Sequence, residues 1–300
     1  MYLSKDKRYN MRDFVTKAYA KINLNLDITG VRDDGYHMVS MVMQQIDLYD
    51  WISVRPAREG IELGMSLDGL PTNEKNIAYR AASILMEQYP EQIKGVKLYI
   101  HKYIPIAAGM AGGSTDAAAV LTGMNEVFKL GLSEDKLCEI GLGLGADVPF
   151  CIKGGSYLAE GIGEKLTKVP SLPDCFLVIA KPNFGISTKD AYQEYDALND
   201  VIHPDMESML AGLESQDLAK ISSAMENVLE QVAVIKHPVI SEIISMMKES
   251  GAIGARMTGS GPTVFGIFDK ERQANSCRQR LLEMRFGKQI FVVRPHLEEG

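Results

Sequence analysis

Pro105-Ile106-Ala107-Ala108-Gly109-Met110-Ala111-Gly112-Gly113-Ser114-Thr115-Asp116-Ala117-Ala118-Ala119 is the stretch on which the reading of this chain turns. Ahead of it, Val96, Leu98 and Ile100 alternate with polar neighbours through Gly95 to Ile104, the two-residue period of a strand that Pro105 ends. Behind it, Asp116 to Phe128 has the composition of a helix. A strand, a glycine-rich loop and a helix in that order make a place to hold phosphate. Glycines let the backbone come close, and the helix start adds unpaired N–H groups and the positive end of a dipole. Ser114 and Thr115 put hydroxyls at the helix mouth, where they could cap it, bind phosphate or help hold Mg²⁺. The loop matches neither G-x-x-x-x-G-K-[ST] nor G-x-G-x-x-G. By itself it reads equally well as a flexible turn capped by Ser114. Asp116 is discordant beside an anion site; it reads as a dipole partner pointing outward or as a competitor of the phosphate.

The flanking chain alternates sheet and helix signals. Ile22, Leu24, Leu26 and Ile28 alternate with Lys21, Asn23, Asn25 and Asp27, which predicts a strand over 15–29. The turn formers Arg32-Asp33-Asp34-Gly35 connect it to a second strand over about 39–54. Helices are expected over 73–89 and from Ser133 to about 143, and strands over 150–158 and 162–169. Pro170-Ser171-Leu172-Pro173-Asp174 is the best boundary, dividing an N-terminal domain, 1–170, from a C-terminal one, 171–300. Beyond it come a strand over 175–180 and helices over 187–197, 206–213, 217–232 and 238–249. Two strands follow, over 252–258 and 263–268, flanking Gly259-Ser260-Gly261-Pro262, with a helix over 271–284 and a strand over 289–294 last. Residues 1–12 are polar and expected to fray.

Composition narrows the function class. The chain has 300 residues, 46% of them hydrophobic and 24% charged, the profile of an ordinary globular protein. Its net charge of −7 argues against non-specific nucleic-acid binding. The sequence shows neither a membrane span nor an N-terminal secretory signal. Cys138, Cys151, Cys175 and Cys277 lack C-x-x-C spacing, so they read as free thiols in a reducing cytoplasm rather than as zinc ligands.

Three segments in order carry a family resemblance: Ala18-Tyr19-Ala20-Lys21-Ile22-Asn23-Leu24, the stretch from Pro105 to Ala118, and Met257-Thr258-Gly259-Ser260-Gly261-Pro262-Thr263-Val264-Phe265. Together they resemble the three motifs of the GHMP kinases, which phosphorylate galactose, homoserine, mevalonate and related metabolites. Asp34-Gly35-Tyr36-His37 and Gly145-Ala146-Asp147-Val148-Pro149-Phe150 are similar to signatures of the branch that acts on a cytidine-diphosphate-linked methylerythritol in the non-mevalonate isoprenoid pathway. Tyr19 stands where the family often has proline, Met110-Ala111 where the wider family often has Leu-Gly, and Thr115 for a frequent serine.

The resemblance implies an α+β fold of two domains, the first like a ribosomal-protein α/β sandwich and the second ferredoxin-like. It implies transfer of the γ-phosphoryl group of ATP, with Mg²⁺, to the tertiary 2-hydroxyl of that small-molecule substrate, in the cytoplasm and with no nucleic-acid or membrane partner. It implies site residues too. Asp147 faces the substrate hydroxyl, with Lys21 as its charge partner. The tension is that an ammonium weakens a neighbouring carboxylate as a base. A loose phosphoryl-transfer transition state tolerates this, because the proton leaves late. Pro105, Ile106, Ala107, Ala108, Gly109, Met110, Ala111, Gly112, Gly113, Ser114 and Thr115 cradle ATP, and Asn76 lies near its nucleoside. Tyr36, His37 and Tyr192 take the cytosine, and Asn23 reaches the same ligand as Lys21. Gly259, Ser260 and Gly261 approach the phosphate loop. No metal ligand is named. Plainer readings stand beside these: Lys21 as a solvent-facing strand residue, Asp147 as a loop residue or N-cap, Asn76 as a helix cap, Tyr192 as a core tyrosine. The alternatives for the whole chain are a homoserine- or mevalonate-type kinase, or a non-catalytic nucleotide-binding member of the fold.

Overall fold

The computed structural model describes residues 14–297; the fraying expected of residues 1–12 lies outside the described residues. The elements are, in order, β1 (Phe14–Val31), β2 (His37–Pro56), β3 (Gly60–Met65), α1 (Ile77–Gln88), β4 (Gly95–His101), α2 (Gly112–Val127), α3 (Glu134–Leu142), α4 (Val148–Lys153), β5 (Ser156–Gly161) and β6 (Lys165–Lys168). The remainder are β7 (Phe176–Lys181), α5 (Thr188–Tyr195), α6 (Met206–Glu214), α7 (Leu218–Ala224), α8 (Val228–Lys236), α9 (Val239–Glu249), β8 (Gly254–Met257), β9 (Val264–Phe268), α10 (Glu271–Glu283) and β10 (Gln289–Val293). The chain forms two compact units, one holding residues up to 19, 49–104 and 112–153, the other 20–48, 105–111 and the residues from 154 on. β1 and β2 each contribute residues to both.

In the first unit β4 pairs antiparallel with Trp51–Pro56 of β2 and parallel with β3. Helices α1, α2, α3 and α4 pack on one another, and their apolar faces share a core with the sheet. Ala78, Ala81, Ala82 and Leu85 of α1 and Ala117, Val120, Leu121 and Met124 of α2 are buried at helical spacing against Ile52, Val54, Leu98 and Ile100. The many alanines let the two helices approach closely.

In the second unit Val39–Gln44 of β2 pairs antiparallel with β5, and β5 with β6. A separate antiparallel sheet runs β10-β7-β9-β8, with α9 and α10 against it. This is the ferredoxin-like half of an α+β fold.

The structure departs from the sequence reading in five places. β3 has no counterpart in that reading: it is six residues long, with glycine at two of them. The strand expected over 150–158 is instead α4 followed by β5. Val148-Pro149-Phe150-Cys151-Ile152 is an apolar run whose period cannot separate strand from buried helix, and Gly154 and Gly155 at positive φ stop the helix. The helix expected over 217–232 is two, because Met225 is extended and Asn227 caps a new helix by accepting from the Leu229 N–H. Helix α2 starts at Gly112 rather than 116, and α1 at Ile77 rather than 73. Glycine's poor propensity disguised the first start, while Asn76 as N-cap fixes the second.

Candidate active site

In the second unit the sequence's most telling strand is buried on both faces. Alternation in β1 suggested that Lys21, Asn23 and Asn25 face solvent, yet Lys21 is 4% and Asn23 1% exposed. Burial of polar groups requires partners. The Lys21 ammonium donates to Asn23 Oδ1 at 2.7 Å, the Asn23 N–H donates to Thr258 Oγ1 at 2.8 Å, and Asn23 Nδ2 donates to Met41 Sδ at 3.1 Å. Asn25 Oδ1 accepts from the Val42 N–H at 2.9 Å. The backbone N–H of Lys21 donates to the Met110 carbonyl at 3.3 Å, so the strand touches the glycine loop directly.

The loop and the last motif press backbone on backbone. Gly109 has φ +71°, and a Cβ there would lie 2.4 Å from the Thr258 carbonyl oxygen. Gly259, at φ +56°, would put its Cβ 2.7 Å from the Gly109 oxygen. Only glycine meets both demands. From behind, Asn227 Nδ2 donates to the Met257 and Gly259 carbonyls, each at 2.9 Å. Ser260 Oγ and Thr188 Oγ1 are 3.1 Å apart. Pro105, Ala108 and Met110 are buried while Ile106 and Ala107 are exposed, so the loop presents its tip and tucks in its stem.

Glu230 holds the same motif by accepting from the Met257 N–H at 2.6 Å. Burial pushes its carboxyl from an ordinary 4.5 up to about 7, against the pull of that N–H and of Arg256. The folded state therefore keeps a proton that the unfolded chain has released. Stability falls as pH rises from about 4.5 through about 7, by an amount on the order of 3 kcal/mol. Glu230→Gln, which cannot ionise and still accepts, is expected to lose less melting temperature than the parent between about pH 5 and pH 8. Thermal melts across that range check it; parallel slopes for the two proteins contradict it.

The expected cytosine residues also lie in this unit. Asp34 Oδ1 accepts from the Tyr36 N–H at 3.2 Å, which fixes the turn and leaves the Tyr36 side chain exposed. The His37 ring lies 4.7 Å from the Tyr192 ring, tilted by 38°, and His37 Nε2 lies 2.7 Å from Asp196 Oδ1. Tyr192 is thus a half-buried partner of His37 rather than a core tyrosine. Asp196, at the end of α5, is a participant that the sequence did not reveal; only its position one turn beyond Tyr192 hints at it.

In the first unit the helix start is built as an anion site requires. Gly112, Gly113, Ser114 and Thr115 form the first turn of α2, whose N–H groups have no acceptor within the helix. A Cβ at Gly113 would meet only Ile77 Cγ2, at 3.4 Å, so the backbone there is open to close approach. Ser114 is half-buried, and Thr115 is buried. These features fit the triphosphate of ATP. Asp147 is half-buried directly ahead of α4, and its carbonyl accepts from the Cys151 N–H at 3.1 Å. Asn76 caps α1, accepting from the Ala78 N–H at 2.9 Å and donating to the Pro71 carbonyl at 2.8 Å.

Asp116 resolves its own puzzle. It neither points outward nor competes for phosphate; it is buried and binds Lys102 Nζ through Oδ2 at 2.7 Å. Lys102 also contacts Asp50 Oδ2. Asp50 Oδ1 accepts from the Tyr103 and Ile104 N–H groups, at 2.5 and 2.9 Å. Burial pushes the Asp116 carboxyl well above the ordinary carboxylate range, with Lys102 opposing the shift and Asp50 adding to it. Burial works against the Lys102 ammonium too, but the two carboxylates outweigh it and raise its pKa. Removing Lys102 from such a cluster typically costs about 3–5 kcal/mol, because buried acidic groups lose their only counter-ion. Sequence reasoning missed Lys102 and Asp50, although a carboxylate inside an alanine-rich helix face signals a buried partner.

Comparison with known proteins follows the same outline. Residues 76–155 match the family model described as GHMP kinases N terminal domain, and residues 209–284 that described as GHMP kinases C terminal. The first includes the whole glycine loop and Asp147, the second Gly259, Ser260 and Gly261. The chain is 46% identical over 278 residues to a 4-diphosphocytidyl-2-C-methyl-D-erythritol kinase of Clostridium beijerinckii, covering 93% of this chain and 98% of that one. It is 47% identical over 258 residues to the kinase of the same name from Clostridium acetobutylicum, covering 86% and 92%. A crystal structure of 4-(cytidine 5'-diphospho)-2C-methyl-D-erythritol kinase superimposes with a TM-score of 0.80 at 29% identity, covering 95% of this chain and 100% of that one.

Proposed function

Because the chain belongs to the GHMP kinase family, among its 4-diphosphocytidyl-2-C-methyl-D-erythritol kinases, we propose that it phosphorylates the 2-hydroxyl of 4-diphosphocytidyl-2-C-methyl-D-erythritol with ATP. That step belongs to non-mevalonate isoprenoid biosynthesis, and we assign it to the cytoplasm. No helix of the described residues is long and apolar enough to cross a membrane. The observation that carries the reading is the convergence in one unit of three separated segments: Lys21 on the Met110 carbonyl, and Gly109 against Thr258 and Gly261. Residues so far apart in sequence have no reason to share tight backbone contacts in a simple turn.

ATP supplies the transferable phosphoryl group, and Mg²⁺, which keeps several waters, would accompany its phosphates. The protein's share is position and charge. The first-turn N–H groups of α2 hold the phosphates. Lys21, oriented by Asn23, offsets charge near the γ-phosphate. Asp147 orients the hydroxyl and takes its proton late. Tyr36 stacks on the cytosine, with His37 and Tyr192 as the facing pair. The division into an ATP-binding part, 1–170, and a C-terminal part, 171–300, belongs to the same proposal.

The substrate assignment is tested at Tyr36. Tyr36 is 61% exposed, so Tyr36→Ala removes little from the fold. Loss of one base–aromatic stack is worth about 1–3 kcal/mol, so KM for the cytidylated alcohol should rise about 5- to 150-fold while KM for ATP stays near its starting value. Steady-state kinetics with each substrate varied in turn separates the two. An equal rise in both contradicts the cytosine role.

A further inference from the structure

Residues 105–111 leave the first unit after Ile104 and return to it at Gly112. Those two residues touch: a Cβ on Gly112 would lie 3.0 Å from Ile104 Cγ2. Around them sits the buried cluster of Asp50, Lys102 and Asp116. Asp50 Oδ1 holds the Tyr103 and Ile104 N–H groups on the outgoing side. Lys102 Nζ reaches the Gly112 carbonyl at 3.4 Å and Asp116 Oδ2 at 2.7 Å on the returning side. The Asp50 and Lys102 side chains are at most 5% exposed, and so is that of Asp116, so none is placed to touch a nucleotide. Their bonds run instead to the backbone on both sides of the glycine loop.

We propose that Asp50, Lys102 and Asp116 form a buried clasp that closes the neck of the glycine loop and sets the start of α2, making them positioning residues for ATP. The inference rests on reading the loop and the first turn of α2 as the phosphate cradle. The N–H groups of that turn act only where they point, and their direction follows from where Gly112 and Asp116 are fixed. Only one Asp116 oxygen is used: Oδ2 accepts from Lys102, while Oδ1 is buried with no hydrogen-bond partner. The clasp therefore needs an acceptor at this position rather than a second charge.

This separates a clasp from a merely structural ion pair. Asp116→Ala is expected to raise KM for ATP about tenfold, since small misplacements of a phosphate cradle are costly, and to leave KM for the cytidylated alcohol within about twofold. Asp116→Asn, which keeps an acceptor facing Lys102, is expected to restore ATP KM to within about threefold of the parent. Gly113→Glu, which puts a negative side chain on the open first turn, serves as the control for the cradle. If Gly113→Glu weakens ATP and Asp116→Ala does not, the clasp is overturned and the cradle stands. If neither weakens ATP, both fall. Equal rises in the two KM values, or an Asp116→Asn enzyme as poor as Asp116→Ala, also overturn the clasp. Should Asp116→Ala not fold, Lys102→Arg decides. Its planar head keeps the charge but changes the geometry, so a selective rise in ATP KM supports the clasp and an unchanged ATP KM rejects it.

Discussion

Asp147→Asn should fold like the parent and turn over about 10² to 10⁴ times more slowly, the span usually lost with a positioned base. In free energy that is about 3–5 kcal/mol of transition-state stabilisation. Folding should survive for a local reason. Residue 147 stands directly ahead of α4, where its carbonyl accepts from the Cys151 N–H, and asparagine suits that place as well as aspartate does. Binding should survive as well, because asparagine keeps the size and hydrogen-bonding oxygen of the side chain. The expected pattern is a fall in kcat with little change in either KM and an unchanged thermal melt. Turnover within about threefold of the parent in a folded variant would remove Asp147 from the chemistry.

Lys21→Met should produce a loss of similar size by another route. Methionine keeps most of the stem and removes the ammonium. Preorganised positive charge at a transferring phosphoryl group is commonly worth about 10² to 10³ in kcat. The structure explains why the charge is preorganised. Lys21 is buried on β1, its Nζ is 2.7 Å from Asn23 Oδ1, and Asn23 is fixed in turn by Thr258. Lys21→Arg is expected to rescue poorly, since a planar fork does not fit a place built around one ammonium. A folded Lys21→Met enzyme with kcat within about tenfold of the parent would show that this charge does not serve the transition state.

Much of the fold could be read from the chain because its periods are clean. The alternating residues of β1 and β4, the helical spacing in α1 and the helix-forming composition of α2 announce their elements. Ser133 and Ser187 cap helices where hydroxyl residues should, accepting from the Lys136 and Asp190 N–H groups. The misreadings have local causes. Val148 to Ile152 is uniformly apolar, so length and flanking glycines had to decide between strand and helix. Gly112 and Gly113 look like loop and are helix.

The site was legible where chemistry lies in backbone and motif, and illegible where it lies in distant pairings. The glycines of the loop and of residues 259–261 advertise close approach, and Gly109 and Gly259 show it. Nothing in the local sequence says that β1 is buried on both faces, because burial of Lys21, Asn23 and Asn25 depends on partners supplied by Thr258, Met41 and Val42. The same holds for Asp116. Its partner Lys102 lies 14 residues away along the chain, and Asp50, which Lys102 also binds, lies 66 residues from Asp116 (116 − 50). Charged residues read as surface until the structure pairs them.

The most direct measurement is to give the purified protein ATP and Mg²⁺ with 4-diphosphocytidyl-2-C-methyl-D-erythritol, homoserine or mevalonate in separate reactions, and to follow ADP release and the new phosphate by ³¹P NMR. The account predicts stoichiometric ADP and a phosphate monoester on the 2-hydroxyl of the cytidylated alcohol, with the other acceptors left unphosphorylated. Preferential phosphorylation of homoserine or mevalonate, or ADP release that no acceptor stimulates, would contradict it.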